Sequence, residues 1–169
     1  MSDLRNERID ELVQRLADQL LSNQIMLATA ESCTGGGIAQ ALTALAGSSR
    51  WFDSGFVTYS NAAKQKMLGV PSYLFEPGAA GAVSEETVRA MTAGAIANSA
   101  AEIAVAVSGV AGPDGGSKDK PVGTVWIAWQ LREQGRAQRF QFSGDREAVR
   151  TATVEAGLSG LLKLLEKSG

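Results

Sequence analysis

The most consequential absence in this chain of 169 residues is histidine, of which there is none. A Ser-His-Asp triad and a Cys-His pair are therefore impossible within one chain, and any nucleophile needs a different activating group. Zinc sites that depend on histidine are excluded for the same reason. The sequence also has no dense Asp/Glu cluster that resembles a carboxylate-only metal site. We therefore expect neither a metal nor a cofactor.

Cysteine is nearly absent as well, since Cys33 is the one cysteine of the sequence. An internal disulfide is thereby excluded, which favours a cytoplasmic location. The first eight residues are polar and mixed in charge, unlike the apolar centre of a signal peptide. No segment approaches the roughly 20 consecutive apolar residues that cross a bilayer. We expect a cytoplasmic protein without a membrane partner.

Positive charge is not in excess, because 16 Lys and Arg face 18 Asp and Glu and give a formal net charge of -2. Proteins that bind nucleic acid without sequence preference need a basic face, so no nucleic-acid partner is expected. The hydrophobic content of 44% and charged content of 20% are typical of a globular protein. The length favours one domain that spans residues 1–169.

Apolar spacing along the chain alternates between helical and strand-like periods. Helices mixed among apolar strands indicate a three-layer α/β/α sandwich. A hairpin expected at residues 133–135 makes its sheet mixed, and mostly parallel, rather than wholly parallel. The predicted helices cover residues 3–23, 38–45, 62–68, 84–100 and a final segment through 165, and the predicted strands cover 25–30, 51–59, 103–107, 122–131 and 137–142.

Three glycine-bearing junctions follow predicted strands, at residues 32–37, 108–116 and 143–146. Ligand sites in open α/β sheets gather at strand ends. Any one of these loops could be a simple turn, but three with hydroxyl groups favour a shared pocket. Neither nucleotide fingerprint is present: Gly-x-Gly-x-x-Gly is absent after the first strand, and the glycine spacing before Lys118 does not fit a P-loop. A nucleoside-triphosphate site is therefore not expected.

The junction at residues 29–37 offers two candidate nucleophiles, Ser32 and Cys33, next to Glu31. Backbone N–H groups before a helix can hold an anion or a developing oxyanion. Adjacent side chains at a strand end diverge, so only one nucleophile should face the pocket. The residues alone leave the choice open, because a free cysteine is often just a small buried hydrophobe. They also indicate no role for Glu31.

Tyr59 and Lys64 form a second candidate pair. Five residues correspond to about 500° of helical rotation, so the two would not share one helix face. We place Tyr59 at the end of a strand and Lys64 on the next helix, with both directed into one pocket. A desolvated lysine loses its proton more readily and could activate Ser32, while Tyr59 relays the proton or orients the amine. Taken singly, Tyr59 could simply be an aromatic residue at the edge of the core, and Lys64 could simply be a solvated surface residue.

Arg146 and Arg150 lie at the start of the final predicted helix, where the helix dipole disfavours a cation. A bound phosphate or carboxylate would explain them. Surface salt bridges are the alternative explanation.

Six motifs, in order, resemble the CinA C-terminal domain family, which contains bacterial nicotinamide-nucleotide amidases. The resemblance covers essentially the whole chain. The motifs are Ala-Glu-Ser-Cys-Thr-Gly-Gly at 30–36, Gly-Phe-Val-Thr-Tyr-Ser-Asn at 55–61 with Lys64, Gly-Ala-Val-Ser at 81–84, Ser-Gly-Val-Ala-Gly-Pro-Asp-Gly-Gly at 108–116, Lys-Pro-Val-Gly-Thr-Val-Trp at 120–126 and Phe-Ser-Gly-Asp-Arg at 142–146.

The resemblance implies hydrolysis of nicotinamide mononucleotide to nicotinate mononucleotide and ammonia, in pyridine-nucleotide salvage. It implies a metal-independent reaction with a serine nucleophile and Tyr and Lys partners, which fall on Ser32, Tyr59 and Lys64. It also implies a homo-oligomer, with a dimer favoured. Many members carry an additional N-terminal domain, so the chain resembles the stand-alone form.

Combining both lines of reasoning, we expect the substrate to be bound by the nucleophile turn, by the second glycine loop and by an arginine that holds its phosphate. Two alternatives remain: a non-catalytic nucleotide-binding regulatory domain, and an amidase for another small amide. The expected substrate-binding residues are Cys33, Thr34, Gly35, Gly36, Ser108, Gly109, Gly112 and Arg146.

Overall fold

The computed structural model describes residues 2–168, which form helices and strands in the predicted order. None of these helices has both the length and the apolarity of a membrane span. Short 3-10 turns lie at Ser48–Arg50 and Ser72–Phe75. The elements are α1 (Ser2–Asn23), β1 (Leu27–Glu31), α2 (Gly37–Thr43), β2 (Phe52–Val57), α3 (Asn61–Leu68), α4 (Glu85–Ala97), β3 (Ile103–Gly109), β4 (Thr124–Leu131), β5 (Gln134–Gln141) and α5 (Arg146–Ser168).

The five strands form one sheet in the order β2-β1-β3-β4-β5. β1 pairs in parallel with β2 and β3, whereas β4 is antiparallel to both β3 and β5. Since β4 alone runs against the other four strands, the prediction of a mixed, mostly parallel sheet is confirmed.

The turn of the β4–β5 hairpin differs from the expected residues 133–135. Its ladder closes at the pair Leu131 and Gln134, so Arg132 and Glu133 make the turn. Gly135 instead pairs with Gln130 inside the ladder. Arg132 adopts the left-handed conformation itself, with φ of 53°. The prediction placed the turn on the glycine, and a non-glycine residue with positive φ was not foreseen.

Alternating side-chain size gives the sheet two different faces. On β3, Ile103, Val105 and Val107 join the larger core, which includes residues of α1, α2 and α5. Ala104 and Ala106 point to the other face and join the smaller core, which includes Val88, Met91 and Ala95 of α4. The small alanines let that helix approach the strands closely. Helices on both faces confirm the three-layer α/β/α sandwich.

The position of α3 is fixed by close contact with α4. A Cβ atom added at Gly94 would overlap the carbonyl group of Leu68, the last residue of α3. At its other end, α3 is capped by Ser60, whose side chain accepts a hydrogen bond from the N–H of Ala63. The helix therefore holds Lys64 beside the carboxyl ends of β1 and β2.

Candidate active site

The two candidate nucleophiles follow directly from the end of β1. The N–H of Ser32 donates to the carbonyl of Val107 on β3 at 3.2 Å, which continues the pairing of the strands for one residue. The side chains of Ser32 and Cys33 then diverge. Ser32 Oγ lies 3.0 Å from Lys64 Nζ. Cys33 is buried within the larger core.

Lys64 extends from α3 into a site where only 1% of its surface is exposed. Its Nζ has three oxygen neighbours: Ser32 Oγ at 3.0 Å, the Thr58 carbonyl at 2.8 Å and the Tyr59 carbonyl at 3.2 Å. Burial lowers the pKa of Lys64 from 10.5 to about 8, an effect that the charge interaction with Cys33 partly opposes.

The three oxygen neighbours of Lys64 match the three N–H donors of its ammonium form, and they also fit the neutral amine. A neutral amine has two N–H donors and one lone pair. When the two carbonyls accept the donors, the lone pair is left to face the hydroxyl of Ser32. The arrangement can therefore remove the proton of that hydroxyl.

Cys33 lies in surroundings that suppress its reactivity. Burial raises the pKa of its thiol from 9.0 to about 12; the neighbouring carboxylate of Glu31 adds to this, while its own backbone N–H, Lys64 and Arg150 oppose it. Because the thiolate is the nucleophilic form of cysteine, this thiol is poorly suited to attack at neutral pH.

Tyr59 contributes to the site through its backbone carbonyl and through its exposed ring. The carbonyl accepts from Lys64, but the hydroxyl accepts from Arg146 Nη2 at 3.1 Å. Arg146 Nη1 also donates to the carbonyl of Gly112 at 2.8 Å. Within residues 2–168 the Tyr59 hydroxyl has no hydrogen bond to Lys64 or Ser32, so the predicted proton relay has no direct path here.

An open cavity of about 330 Å³ connects these groups. It brings together the loop after β1, the start of α3, the loop after β3 and the start of α5. Among the residues that the structure describes, no group of three or more His, Cys, Asp or Glu side chains could hold a metal ion. The predicted residues that line the cavity are Ser32, Cys33, Tyr59, Lys64, Ser108, Gly109, Gly112 and Arg146.

Several lining residues were missed by the sequence analysis: Asn61, Ala82, Val83, Val110, Ala111, Asp114, Gly115 and Gly116. All eight belong to motifs that carried the family resemblance, but none had been named as a site residue. Their position within those motifs was the available signal.

Thr34, Gly35 and Gly36, which we expected to bind substrate, do not line this cavity. They form the turn beneath it. Gly35 and Gly36 adopt positive φ values of 60° and 100°, which glycine tolerates without strain. Thr34 is 2% exposed and directs its hydroxyl to the carboxylate of Glu31.

Glu31 occupies the N-terminal N–H groups of α2. Its fully buried carboxylate accepts from the N–H groups of Ile38 at 2.8 Å and Ala39 at 3.0 Å. A helix N-terminus attracts anions, and here the anion is the protein's own side chain. The N–H groups of Cys33 and Thr34, in contrast, donate to no other residue within the described chain.

Arg150 supports the same turn from α5. Its Nε donates to the carbonyl of Cys33 and its Nη2 to that of Thr34, both at 3.2 Å. These carbonyls account for Arg150 without a bound anion or a salt bridge. Arg146, one helical turn earlier, is the arginine that faces the cavity.

Comparison with known proteins identifies relatives that belong to one family. The CinA C-terminal domain family matches residues 9–165. A nicotinamide-nucleotide amidohydrolase PncC from Pseudomonas putida is 59% identical, and the alignment covers 92% of this chain and 96% of that protein. The protein of the same name from Escherichia coli K12 is 45% identical, with 94% and 95% covered.

Solved structures of similar proteins show the same fold. The competence damage-inducible protein A from Klebsiella pneumoniae superposes with a TM-score of 0.89 at 42% identity, with 94% of this chain and 97% of that chain covered. A competence/damage inducible protein from Agrobacterium tumefaciens also gives a TM-score of 0.89, at 45% identity and with 93% and 95% covered.

Proposed function

The chain belongs to the CinA C-terminal domain family, and on that basis we propose that it hydrolyses nicotinamide mononucleotide to nicotinate mononucleotide and ammonia. This would place it in pyridine-nucleotide salvage. The observation that carries the proposal is the 3.0 Å contact between Lys64 Nζ and Ser32 Oγ in a buried site that opens to a cavity. The names of the similar amidohydrolases support the choice of substrate.

The reaction begins with Lys64 in its neutral form. Its lone pair takes the proton of Ser32 Oγ while the carbonyls of Thr58 and Tyr59 hold the amine in place. Ser32 Oγ then attacks the carboxamide carbon and forms a tetrahedral intermediate. The positive pyridinium ring withdraws electrons from that carbon and favours the attack.

The negative oxygen of the intermediate needs hydrogen-bond donors close to Ser32. The N–H of Cys33, which lines the cavity and donates to no other residue of the described chain, is the nearest candidate along the chain. A single donor of this kind typically stabilises the transition state by about 2.7–4 kcal/mol. This assignment gives Cys33 a role through its backbone rather than its side chain.

Collapse of the intermediate releases ammonia, which leaves with the proton that Lys64 has taken. Ser32 then carries a nicotinoyl ester of the nucleotide. Water, deprotonated by the same amine, attacks this ester and frees nicotinate mononucleotide. Lys64 thus serves as the base in each half of the reaction, and as the acid when it gives the proton back.

The nucleotide part of the substrate is assigned to Arg146 and to the loop after β3. The Arg146 guanidinium suits a phosphate. The hydroxyl of Tyr59 and the carbonyl of Gly112 hold this guanidinium in position. Ser108, Gly109 and Gly112 border the ribose. A Cβ at Gly112 would overlap the side chain of Val122, so glycine is needed there for the loop to pack.

Ammonia release from nicotinamide mononucleotide by the purified protein tests the proposal. Nicotinamide, which lacks ribose and phosphate, should react far more slowly. Binding of the nucleotide without ammonia release would instead support a regulatory domain. Faster release from another small amide would support a different amidase.

The assembly and location remain proposals of the same kind. A homo-oligomer, with a dimer favoured, rests on the family resemblance, and a cytoplasmic setting rests on the single cysteine. One domain over residues 1–169 remains the expected organisation. The mass of the particle in solution, measured by light scattering, tests the dimer.

A further inference from the structure

The cavity beside Ser32 contains a charge that the proposed reaction has not used. Within the described chain, three side chains of the Lys, Arg, Asp or Glu type line it: Lys64, Arg146 and Asp114. Lys64 works as a neutral amine and Arg146 holds the phosphate. Asp114 is the carboxylate among them. Its side chain is exposed at the cavity, and within residues 2–168 it has neither an ion-pair partner nor a hydrogen bond.

An unpaired carboxylate is unfavourable in a cavity that accepts a phosphate, because like charges repel. Ribose hydroxyls do not by themselves require it, since a neutral side chain can bind hydroxyls without this repulsion. A positive charge on the ligand does explain a carboxylate. On the proposed substrate, that charge lies on the pyridinium ring, next to the ribose and at the opposite end from the phosphate.

Asp114 is close in sequence to the carbonyl that holds Arg146. Gly112, whose carbonyl holds Arg146, lies two residues before Asp114. Two residues of extended chain span at most about 7 Å. The positive φ of Gly115, at 85°, then turns the loop after Asp114. Asp114 and Arg146 thus line the same cavity, and within residues 2–168 they form no ion pair.

We propose that Asp114 is a specificity-determining residue that recognises the positive charge of the pyridinium ring. The inference rests on the proposed function and extends it. It means that the protein selects pyridinium nucleotides against the reduced dihydropyridine forms, which have the same ribose and phosphate but a neutral ring.

The test compares one charged and one neutral ring on matched variants. Asp114→Asn removes the charge at nearly constant shape, and Asp114→Glu retains it. Asp119→Asn is the control, because Asp119 is an exposed carboxylate on the same loop that does not line the cavity. For each variant we would measure kcat/KM for ammonia release from nicotinamide mononucleotide and the inhibition constant of reduced nicotinamide mononucleotide.

We expect Asp114→Asn to lower kcat/KM about three- to tenfold, through KM, as for one partly screened charge pair. Inhibition by the reduced nucleotide should be unchanged or tighter, because only the repulsion of its phosphate is lost. Asp114→Glu should retain part of the preference, and Asp119→Asn should behave as wild type. Added salt should narrow the difference between wild type and Asp114→Asn.

Two results would overturn the inference. Equal weakening of both ligands would mean that Asp114 binds the ribose, and no change in either would place it outside recognition. Failure of the proposed function is a separate outcome, visible as absent ammonia release by the wild-type protein. In that case calorimetric dissociation constants for the same two nucleotides still test the role of Asp114.

Discussion

The Lys64 side chain has lost its hydration and gained three oxygen neighbours in exchange. Two of these are carbonyls and none is a carboxylate, so within the described chain no carboxylate is paired with the ammonium form. A buried lysine without an anionic partner becomes a base near neutral pH. This is how a chain without histidine can still activate a hydroxyl group.

Substitution of the two adjacent nucleophile candidates separates their roles. Ser32→Ala should lower kcat by about 10⁴-fold or more, as is typical when the attacking atom is lost. Cys33→Ala should retain activity within a few-fold, because a buried thiol with a raised pKa does not take part in the reaction. Ammonia release measured for both variants decides the matter. The opposite pattern would assign the nucleophile to Cys33.

The pH dependence of the reaction follows from the lowered pKa of Lys64. Below about 8 the amine is mostly protonated and cannot accept the proton of Ser32. We therefore expect kcat/KM to rise about tenfold per pH unit below that value and to level off above it. Ammonia release between about pH 6.5 and 9.5 measures this limb. Activity that is highest at the acidic end would rule out Lys64 as the base.

The N-terminus of α2 helps to fix the turn that carries Ser32. Glu31 is the last residue of β1, and its carboxylate caps α2, which begins five residues after Ser32. Arg150 then holds the turn from α5 through two carbonyls. The backbone between β1 and α2 is thus fixed from both sides, which orients Ser32 toward α3.

Removal of the Glu31 charge should weaken this connection. Glu31→Gln loses the charged acceptor for two backbone donors and for Thr34, and each hydrogen bond to a charged group is worth about 1.5–3 kcal/mol. We expect the free energy of unfolding, measured in urea, to fall by about 1.5–3 kcal/mol. We also expect kcat to fall with little change in KM. Glu86→Gln, in the exposed first turn of α4, is the control and should change stability by less than about 0.5 kcal/mol. Wild-type stability of Glu31→Gln would contradict this role.

The limits of sequence-based prediction are clearest at this same turn. Apolar periodicity predicted the order of the helices and strands, because it reflects which side of each element is buried. The divergence of Ser32 and Cys33 follows from strand geometry in the same way. In contrast, the capping of α2 by Glu31 depends on a turn whose shape is set by Gly35, Gly36 and Arg150 together. No periodic pattern in the local sequence predicts this tertiary arrangement.

At the scale of the whole molecule, the unequal faces of the sheet help to bring the site together. The alanine face lets α4 pack closely, and Gly94 of α4 in turn sets the position of α3. Lys64 thereby reaches Ser32 across a sequence separation of 32 residues. The burial that makes Lys64 reactive is a property of this packing, so its free-energy cost should be measurable in the stability of the whole protein.

The stability difference between wild type and Lys64→Met should therefore depend on pH. A lysine with a lowered pKa in the folded state binds its proton more weakly there than in the unfolded chain, so folding is opposed below about 8 and the opposition is lifted as pH rises toward 10.5. Met at position 64 does not titrate, and all other groups are common to both proteins. Urea unfolding of both at pH 7 and pH 10 should show wild type gaining about 2–3 kcal/mol relative to the variant. A difference that is constant with pH would mean that Lys64 keeps its ordinary proton affinity, and the proposed base would lose its physical basis.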